Sequence, residues 1–315
     1  MTAELHVLFG TGPVGCWTAH ALRRMGKHVR AVNRTGARPR LMPDDVELVS
    51  ADVSDFATAR EAGRGAAVLY QALNPPYHRW HELFPGLQAS ALAAAQAENA
   101  RYVSIENLYM YDSSQPITEK SPFAPRSKKG ILRQKMAEEV LALHARGEVR
   151  TTALRASDYY GPGVTGSALG ELTFGRLVAG KKPQVLGSAR LPHSFAYIED
   201  VGNAAAVLGT SDVVLGQAWI APHAPARTQG EMVELAARAF GTDTRPSVIS
   251  PLMVRLAGLF IPEVRASGEM MYQFTAPFVV DSSRTERELT LVPTSIEIGI
   301  ERTLAWYRER GRAGK

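Results

Sequence analysis

The segment of this sequence with the most defined chemistry is Gly10-Thr-Gly12-Pro13-Val14-Gly15. It follows the apolar run Leu5–Phe9 at once and opens a helical pattern. In a strand–loop–helix of this kind the first glycine permits the tight turn, and the second lets backbone N–H groups approach a pyrophosphate. The third lets helix and strand pack closely. The helix N-terminus favours the anion. The spacing predicts a dinucleotide site. The next apolar run ends at Val32-Asn33-Arg34. An NAD site places Asp or Glu near this point to accept hydrogen bonds from the ribose. Here no acid is present, and a guanidinium binds a 2′-phosphate that a carboxylate would repel. Asn33, Arg34 and Arg38 therefore predict NADP(H), with NAD(H) as the alternative.

A second group is Asn74-Pro-Pro-Tyr77-His-Arg-Trp80-His81, which follows a fourth β-rich run. It brings aromatic side chains to the end of a strand, where the crevice of an open α/β sheet lies. Tyr77 and Trp80 are expected as walls of a substrate pocket, and Tyr77 also as a proton donor. Packing at a loop–helix junction is the alternative. His78 and His81 lack a third ligand at metal spacing, so no metal site is expected. His193 is a further candidate substrate contact.

These residues need elements to hold them. Strands are expected at Leu5–Phe9, His28–Val32, Val46–Val49, Ala66–Tyr70, Arg101–Ile105 and Val149–Leu154. Helices are expected between them at Val14–Met25, Phe56–Ala62, Trp80–Asn99 and Lys129–Ala145. Such alternation implies a parallel sheet covered on both faces, a doubly wound α/β fold. The expected organisation is a dinucleotide-binding core over residues 1–155. A smaller α-rich substrate lobe follows over 156–315, interwoven with the last strands of the sheet. Its helical patterns fall at Gly166–Ala179, Asp200–Leu208, Gln229–Phe240 and Ser295–Arg308, with a frayed tail from Arg310.

Composition narrows the class. Of 315 residues 45% are hydrophobic and 21% charged, enough for a packed core and too apolar for disorder. Basic residues exceed acidic ones by 36 to 31, but they are scattered, whereas a nucleic-acid surface needs a clustered stripe. No apolar stretch reaches a membrane span, and the N-terminus lacks the pattern of a signal peptide. The single cysteine, Cys16, fits a reducing compartment. A cytoplasmic protein with a small-molecule substrate is expected, without a nucleic-acid or membrane partner.

The chain resembles the short-chain dehydrogenase/reductase superfamily, in its extended, NAD-dependent epimerase/dehydratase-like branch. Besides the glycine loop, Asp52-Val53 matches the family's pair near the adenine, and Ala72-Leu-Asn74-Pro75 its loop along the cofactor. Leu154-Arg155-Ala-Ser-Asp-Tyr159-Tyr160-Gly-Pro is similar to the segment bordering nicotinamide and substrate. Phe195-Ala-Tyr197-Ile-Glu-Asp200-Val201 and the closing Asp281-Ser-Ser … Trp306-Tyr307 complete the match. The resemblance implies that Tyr159 and Tyr160 face the substrate. It also implies a homodimer through Trp80–Asn99 and Lys129–Ala145.

The active centre departs from that pattern. Extended members carry a serine after strand five and a Tyr-x-x-x-Lys pair in which tyrosine moves the proton. The corresponding stretches read Glu106-Asn107-Leu-Tyr109-Met-Tyr111 and Pro125-Arg-Ser127-Lys-Lys129-Gly130-Ile-Leu-Arg133. Alignment on Ser127 and Gly130 puts Lys129 at the tyrosine position, Arg133 at the lysine position and Asn107 at the serine position. A shift by two residues puts Ile131 at the tyrosine position. Neither register supplies the pair. Some atypical members use a lysine as acid/base, and a lysine serves when burial or a neighbouring cation favours its neutral form. Other atypical members bind the dinucleotide without turnover. The resemblance thus implies Lys129 either as acid/base, with Asn107 donating to a carbonyl, or as a clamp on the cofactor beside Arg133. Tyr77 and Tyr109 are the substitutes for the missing tyrosine. Three activities are compatible: an NADP(H)-dependent carbonyl reductase, a sugar-nucleotide epimerase or dehydratase with retained cofactor, and a non-catalytic NADP(H)-binding regulator.

Overall fold

Short runs rich in Val, Leu, Ile and Ala become strands where both their faces are covered, because alternate side chains then all find apolar neighbours. Six such strands are β1 (Leu5–Phe9), β2 (His28–Asn33), β3 (Glu47–Ser50), β4 (Ala66–Gln71), β5 (Arg101–Glu106) and β6 (Arg150–Arg155). Between them run α1 (Pro13–Arg24), α2 (Phe56–Gly63), α3 (Trp80–Ala97) and α4 (Lys128–Ala145). With a seventh strand, Ala218–Ile220, they form one sheet in the order Ala218–Ile220, β6, β5, β4, β1, β2, β3, every pair parallel. The doubly wound α/β fold is therefore present. The computed structural model describes residues 4–313. They form two compact units. The first holds the chain through Met110, Lys128–Ala156 and Val201–Ala221, and the second holds Tyr111–Ser127, Ser157–Asp200 and the chain from Pro222.

The two faces of the sheet can be read from alternation. Val7, Phe9, Leu69 and Tyr102 point toward α2, α3 and α4, whose Ala59, Ala62, Ala91, Ala94, Ala95 and Val140 form a tight apolar layer with them. His6 and Tyr70 point to the other face, which α1 and the helix Ile198–Thr210 cover. There Gly202 lies against Trp17 and Gly209 against the Tyr70 hydroxyl, approaches that a Cβ would block. Register aligns the strand ends. Phe9 stands opposite Val32 and Gln71, Gln71 opposite Ser104, and Glu106 opposite Arg155, so the C-terminal ends of the strands share one edge.

His6 is fully buried, with Nδ1 2.8 Å from the Tyr70 hydroxyl. Burial, helped by Lys27, pushes its pKa from 6.5 down to about 4. The imidazole is thus neutral in the fold. Below pH 6.5 the unfolded chain gains a proton that the folded one refuses, so stability falls as pH drops from about 6.5 to about 4. The loss is about 3 kcal/mol at the acid end. Thermal unfolding of wild type and His6→Leu across this range checks it: the variant's decline is expected to be shallower, and parallel curves count against the assignment.

The second unit is built from short parallel pairs, Asp158–Tyr160 with Phe195–Tyr197 and Gln184–Leu186 with Ser247–Ile249, packed with helices. Helix Gln229–Phe240 begins at a capping box of Thr228 and Glu231 and ends at Gly241 with φ +80°. With helix Ile296–Ala313 it encloses Tyr160, Phe174, Tyr197, Met232, Ile300 and Tyr307. Two expectations change here. The segment Gly166–Ala179 is not one helix: a wide turn over Gly170–Gly175 precedes one short α-turn, Arg176–Val178. Only glycine fits at its start, since a Cβ on Gly170 would lie 2.1 Å from Thr165 O. The C-terminal helix does not fray at Arg310, which pairs with Glu171, and only the last two residues of that tail lie outside the described ones. The first three residues, part of the signal-peptide reading, lie outside them too. Among the described residues no helix is long and apolar enough to cross a membrane.

Candidate active site

The glycine loop joins β1 to α1 at the edge where the strand ends collect. Gly10 has φ +111°, and a Cβ on it would stand 2.6 Å from Ala72 O. A Cβ on Gly15 would stand 2.1 Å from Gly10 O. Gly12 differs: it is the extended N-cap of α1, and a Cβ on it meets no atom within 4 Å. No side chain caps α1, and Pro13 follows with no N–H to satisfy. Val14 packs inward. Ala72 N donates to Phe9 O at 2.8 Å, fixing the start of the Ala72–Asn74 loop beside the glycines, with Asn74 exposed. Gly12 thus leaves the N-terminus of α1 uncovered by any side chain.

At the end of β2, Asn33 uses its whole carboxamide locally. Nδ2 donates to Thr11 Oγ1 at 3.0 Å and to Ala37 O, while Oδ1 accepts from the Thr35 and Gly36 N–H groups. It ties the phosphate loop to the β2–β3 connection. Arg38 braces that connection, donating to Pro43 O and Val46 O. Arg34 is the exposed guanidinium at the strand end. Hydrogen bonds from Ser54 hold the exposed Asp52 below the usual carboxylate range, and Arg34 adds to this. Val53 next to it is core.

The ends of β5 and β6 carry a buried ion pair. Arg155 Nε donates to Glu106 Oε2 at 2.8 Å, and Ser104 Oγ donates to Glu106 Oε1 at 3.0 Å. The first turns of α4 hold two more buried cations, Lys129 and Arg133, at 4% and 1% exposure. Lys129 Nζ sits 4.6 Å from the centre of the Tyr77 ring. Tyr77 meets the Trp80 ring edge-on at 4.7 Å, and Trp80 stacks on Tyr109 at 6.1 Å. Asn107 Oδ1 accepts from Tyr109 N, an Asx turn that holds Tyr109 in place. Lys129, Tyr77, Tyr109 and Asn107 are therefore gathered in one cluster. Trp80 is its buried centre, donating to Pro75 O, with Phe84 and Met136 behind. The Arg133 guanidinium lies 4.7 Å over the Phe84 ring.

The amino-acid sequence matches the profile of the NAD dependent epimerase/dehydratase family over residues 7–217. The chain belongs to that family. This epimerase/dehydratase-family protein is an NAD(P)-dependent enzyme. Its structure is similar to UDP-glucose 4-epimerase of Thermotoga maritima, with TM-score 0.79 at 14% identity, covering 98% of this chain and 99% of that one. UDP-glucuronic acid 4-epimerase of Bacillus cereus gives 0.78 at 15%, covering 98% and 100%. dTDP-glucose 4,6-dehydratase of Bacillus anthracis gives 0.80 at 13%, covering 98% of each. None of the curated protein sequences matches this one.

In the second unit of the family member, Tyr159 is half-buried in its short strand, and Tyr160 is buried between Phe174 and Tyr197. His193 is buried as well. Its Nε2 lies 2.9 Å from Asp158 Oδ2 and its ring is enclosed by Phe195, Phe274 and Phe278. Asp200 accepts from Thr294 N and Oγ1 at 2.7 and 2.8 Å. Sequence reasoning missed the buried Glu106–Arg155 pair. Its signal was present: two strands that pair in parallel each end on a charge, of opposite sign. Among the described residues no group of three or more His, Cys, Asp or Glu is placed to hold a metal ion.

Proposed function

We propose that the protein is an NADP(H)-dependent oxidoreductase acting on the carbonyl group of a small substrate. The observation that carries this reading is the end of β2. An exposed guanidinium, Arg34, stands where a ribose-binding carboxylate would select NAD, and Asn33 and Arg38 hold its loop instead of competing for the ligand. A bound NADPH supplies hydride. Gly10, Gly12 and Gly15 with the N-terminus of α1 receive the diphosphate, Asp52 and Val53 border the adenine, and Ala72 and Asn74 line the path of the cofactor. Calorimetric titration with NADPH and NADH tests it. Arg34→Ala is expected to weaken NADPH binding by about 1.5–3 kcal/mol, the worth of a charge-assisted hydrogen bond, and to leave NADH binding unchanged. A wild-type preference for NADH would refute the reading.

A second reading is a sugar-nucleotide epimerase or dehydratase that keeps its dinucleotide through the cycle. The family match and the sugar-nucleotide enzymes among the structural neighbours favour it. The state of the purified protein separates the two. Dinucleotide that survives gel filtration supports the second reading, and NADPH that exchanges freely supports the first.

A further inference from the structure

We infer that Tyr77 is the proton donor of this reaction and that Lys129, from a different element, is the cation that stabilises the phenolate left behind. The inference rests on the oxidoreductase reading and names the group at that site that handles the proton. The pair that the superfamily carries on one helix would then be rebuilt in space, with the phenol from the β4–α3 connection and the ammonium from the first turn of α4.

Three observations carry it. Lys129 Nζ lies 4.6 Å from the Tyr77 ring centre, close enough for its charge to favour an ionised phenol. Lys129 is 4% exposed, whereas Tyr77 keeps part of its surface open, so of the two it is the phenol that a substrate can reach. The Tyr77 ring is also held. Trp80 meets it edge-on at 4.7 Å, and Trp80 is itself fixed by Pro75 O and Tyr109. Of the other groups in the cluster, Asn107 commits its side-chain oxygen to Tyr109 N, and the Tyr109 ring stacks on Trp80. Other titratable or charged groups beside Tyr77 are its neighbour His78, Arg79, which is bound to Glu82, and Arg133 one turn along α4 over Phe84.

The step balances. The carbonyl carbon receives two electrons as hydride from reduced nicotinamide dinucleotide. The Tyr77 O–H bond breaks and its proton goes to the carbonyl oxygen. The resulting phenolate faces Lys129 and is reprotonated by solvent.

Phenolate absorbance in the near ultraviolet, titrated with alkali, tests the pair without any substrate. The chain has ten tyrosines, so the difference between wild type and Tyr77→Phe isolates one of them. That signal is expected to titrate below the ordinary tyrosine value of about 10. It should move upward in Lys129→Met and return in Lys129→Arg, with circular dichroism confirming the fold of each. A Tyr77 signal at or above the ordinary value, or one that Lys129→Met leaves in place, overturns the inference. A panel of aldehydes and ketones with NADPH gives the second arm. On any compound that wild type reduces, Tyr77→Phe is expected to lower kcat about 10²–10⁴-fold with little change in NADPH binding. A kcat within tenfold of wild type also overturns it. Failure to bind NADPH would instead sink the reductase reading, while the titration still decides whether Tyr77 and Lys129 are a pair.

Discussion

Glu106→Leu is expected to destabilise the protein by about 3–5 kcal/mol, because it leaves Arg155 buried without its carboxylate. Both side chains of the pair are at or below 2% exposure, so water cannot take the place of the lost partner. Ser104 Oγ loses its acceptor at the same time. Calorimetry should place the unfolding of the variant roughly 5–8 °C below wild type. The double variant Glu106→Leu/Arg155→Met separates an uncompensated charge from lost packing. Replacing both ions by apolar groups is often neutral, so the double variant should recover most of the loss. A double variant as unstable as the single one would show that shape at the β5–β6 edge, not charge, is what Glu106 supplies.

Gly15→Ala is expected to remove detectable NADPH binding together with part of the stability, whereas Gly12→Ala should remove affinity alone. The difference lies in where a methyl group would go. On Gly15 it would be driven to 2.1 Å from Gly10 O, so either β1 or α1 must move. Overpacking of this kind costs roughly 1–3 kcal/mol or more. On Gly12, whose φ of −69° any residue adopts, the methyl group meets no protein atom and stands in the path of the diphosphate. Gly12→Ala should unfold within about 0.5 kcal/mol of wild type. It should bind NADPH at least about tenfold more weakly, roughly 1.4 kcal/mol. Equal affinity in Gly12→Ala and wild type would contradict the diphosphate assignment.

The regular half of the fold was legible because its signals are local. Leu5–Phe9 reads as a strand, Gly10 and Gly12 as the turn and Val14 as a helix start, and each depends only on neighbours in sequence. The seventh strand, Ala218–Ile220, carries no such signal: three residues become a strand only because β6 offers a parallel edge beside them. The break at Gly170 is a matter of close backbone approach that residue types do not show: Glu171 N donates to Thr165 O at 2.9 Å, and a Cβ on Gly170 would stand 2.1 Å from that oxygen. At the site, residue identity drew attention to Lys129 and Tyr77 separately but not to their contact. Lys129 and Tyr77 are 52 positions apart, and only the fold of β4, α3 and α4 brings them together. Trp80 stood in the sequence as a pocket wall or as packing at a loop–helix junction, and its indole is buried as the centre of the aromatic cluster.

Cys16 sits on α1 among buried side chains, and burial pushes its thiol up to about 12. At neutral pH only about one molecule in 10⁵ would present a thiolate there, and that sulfur lies out of reach of a maleimide. As the chain has no other cysteine, it already forms a silent background for site-directed labelling. A cysteine introduced at an exposed position such as Val213 or Phe260 would be the one thiol that a fluorophore or spin label finds. Distances across the chain can then be followed during cofactor titration without first removing a native residue from the helix that carries the glycine loop.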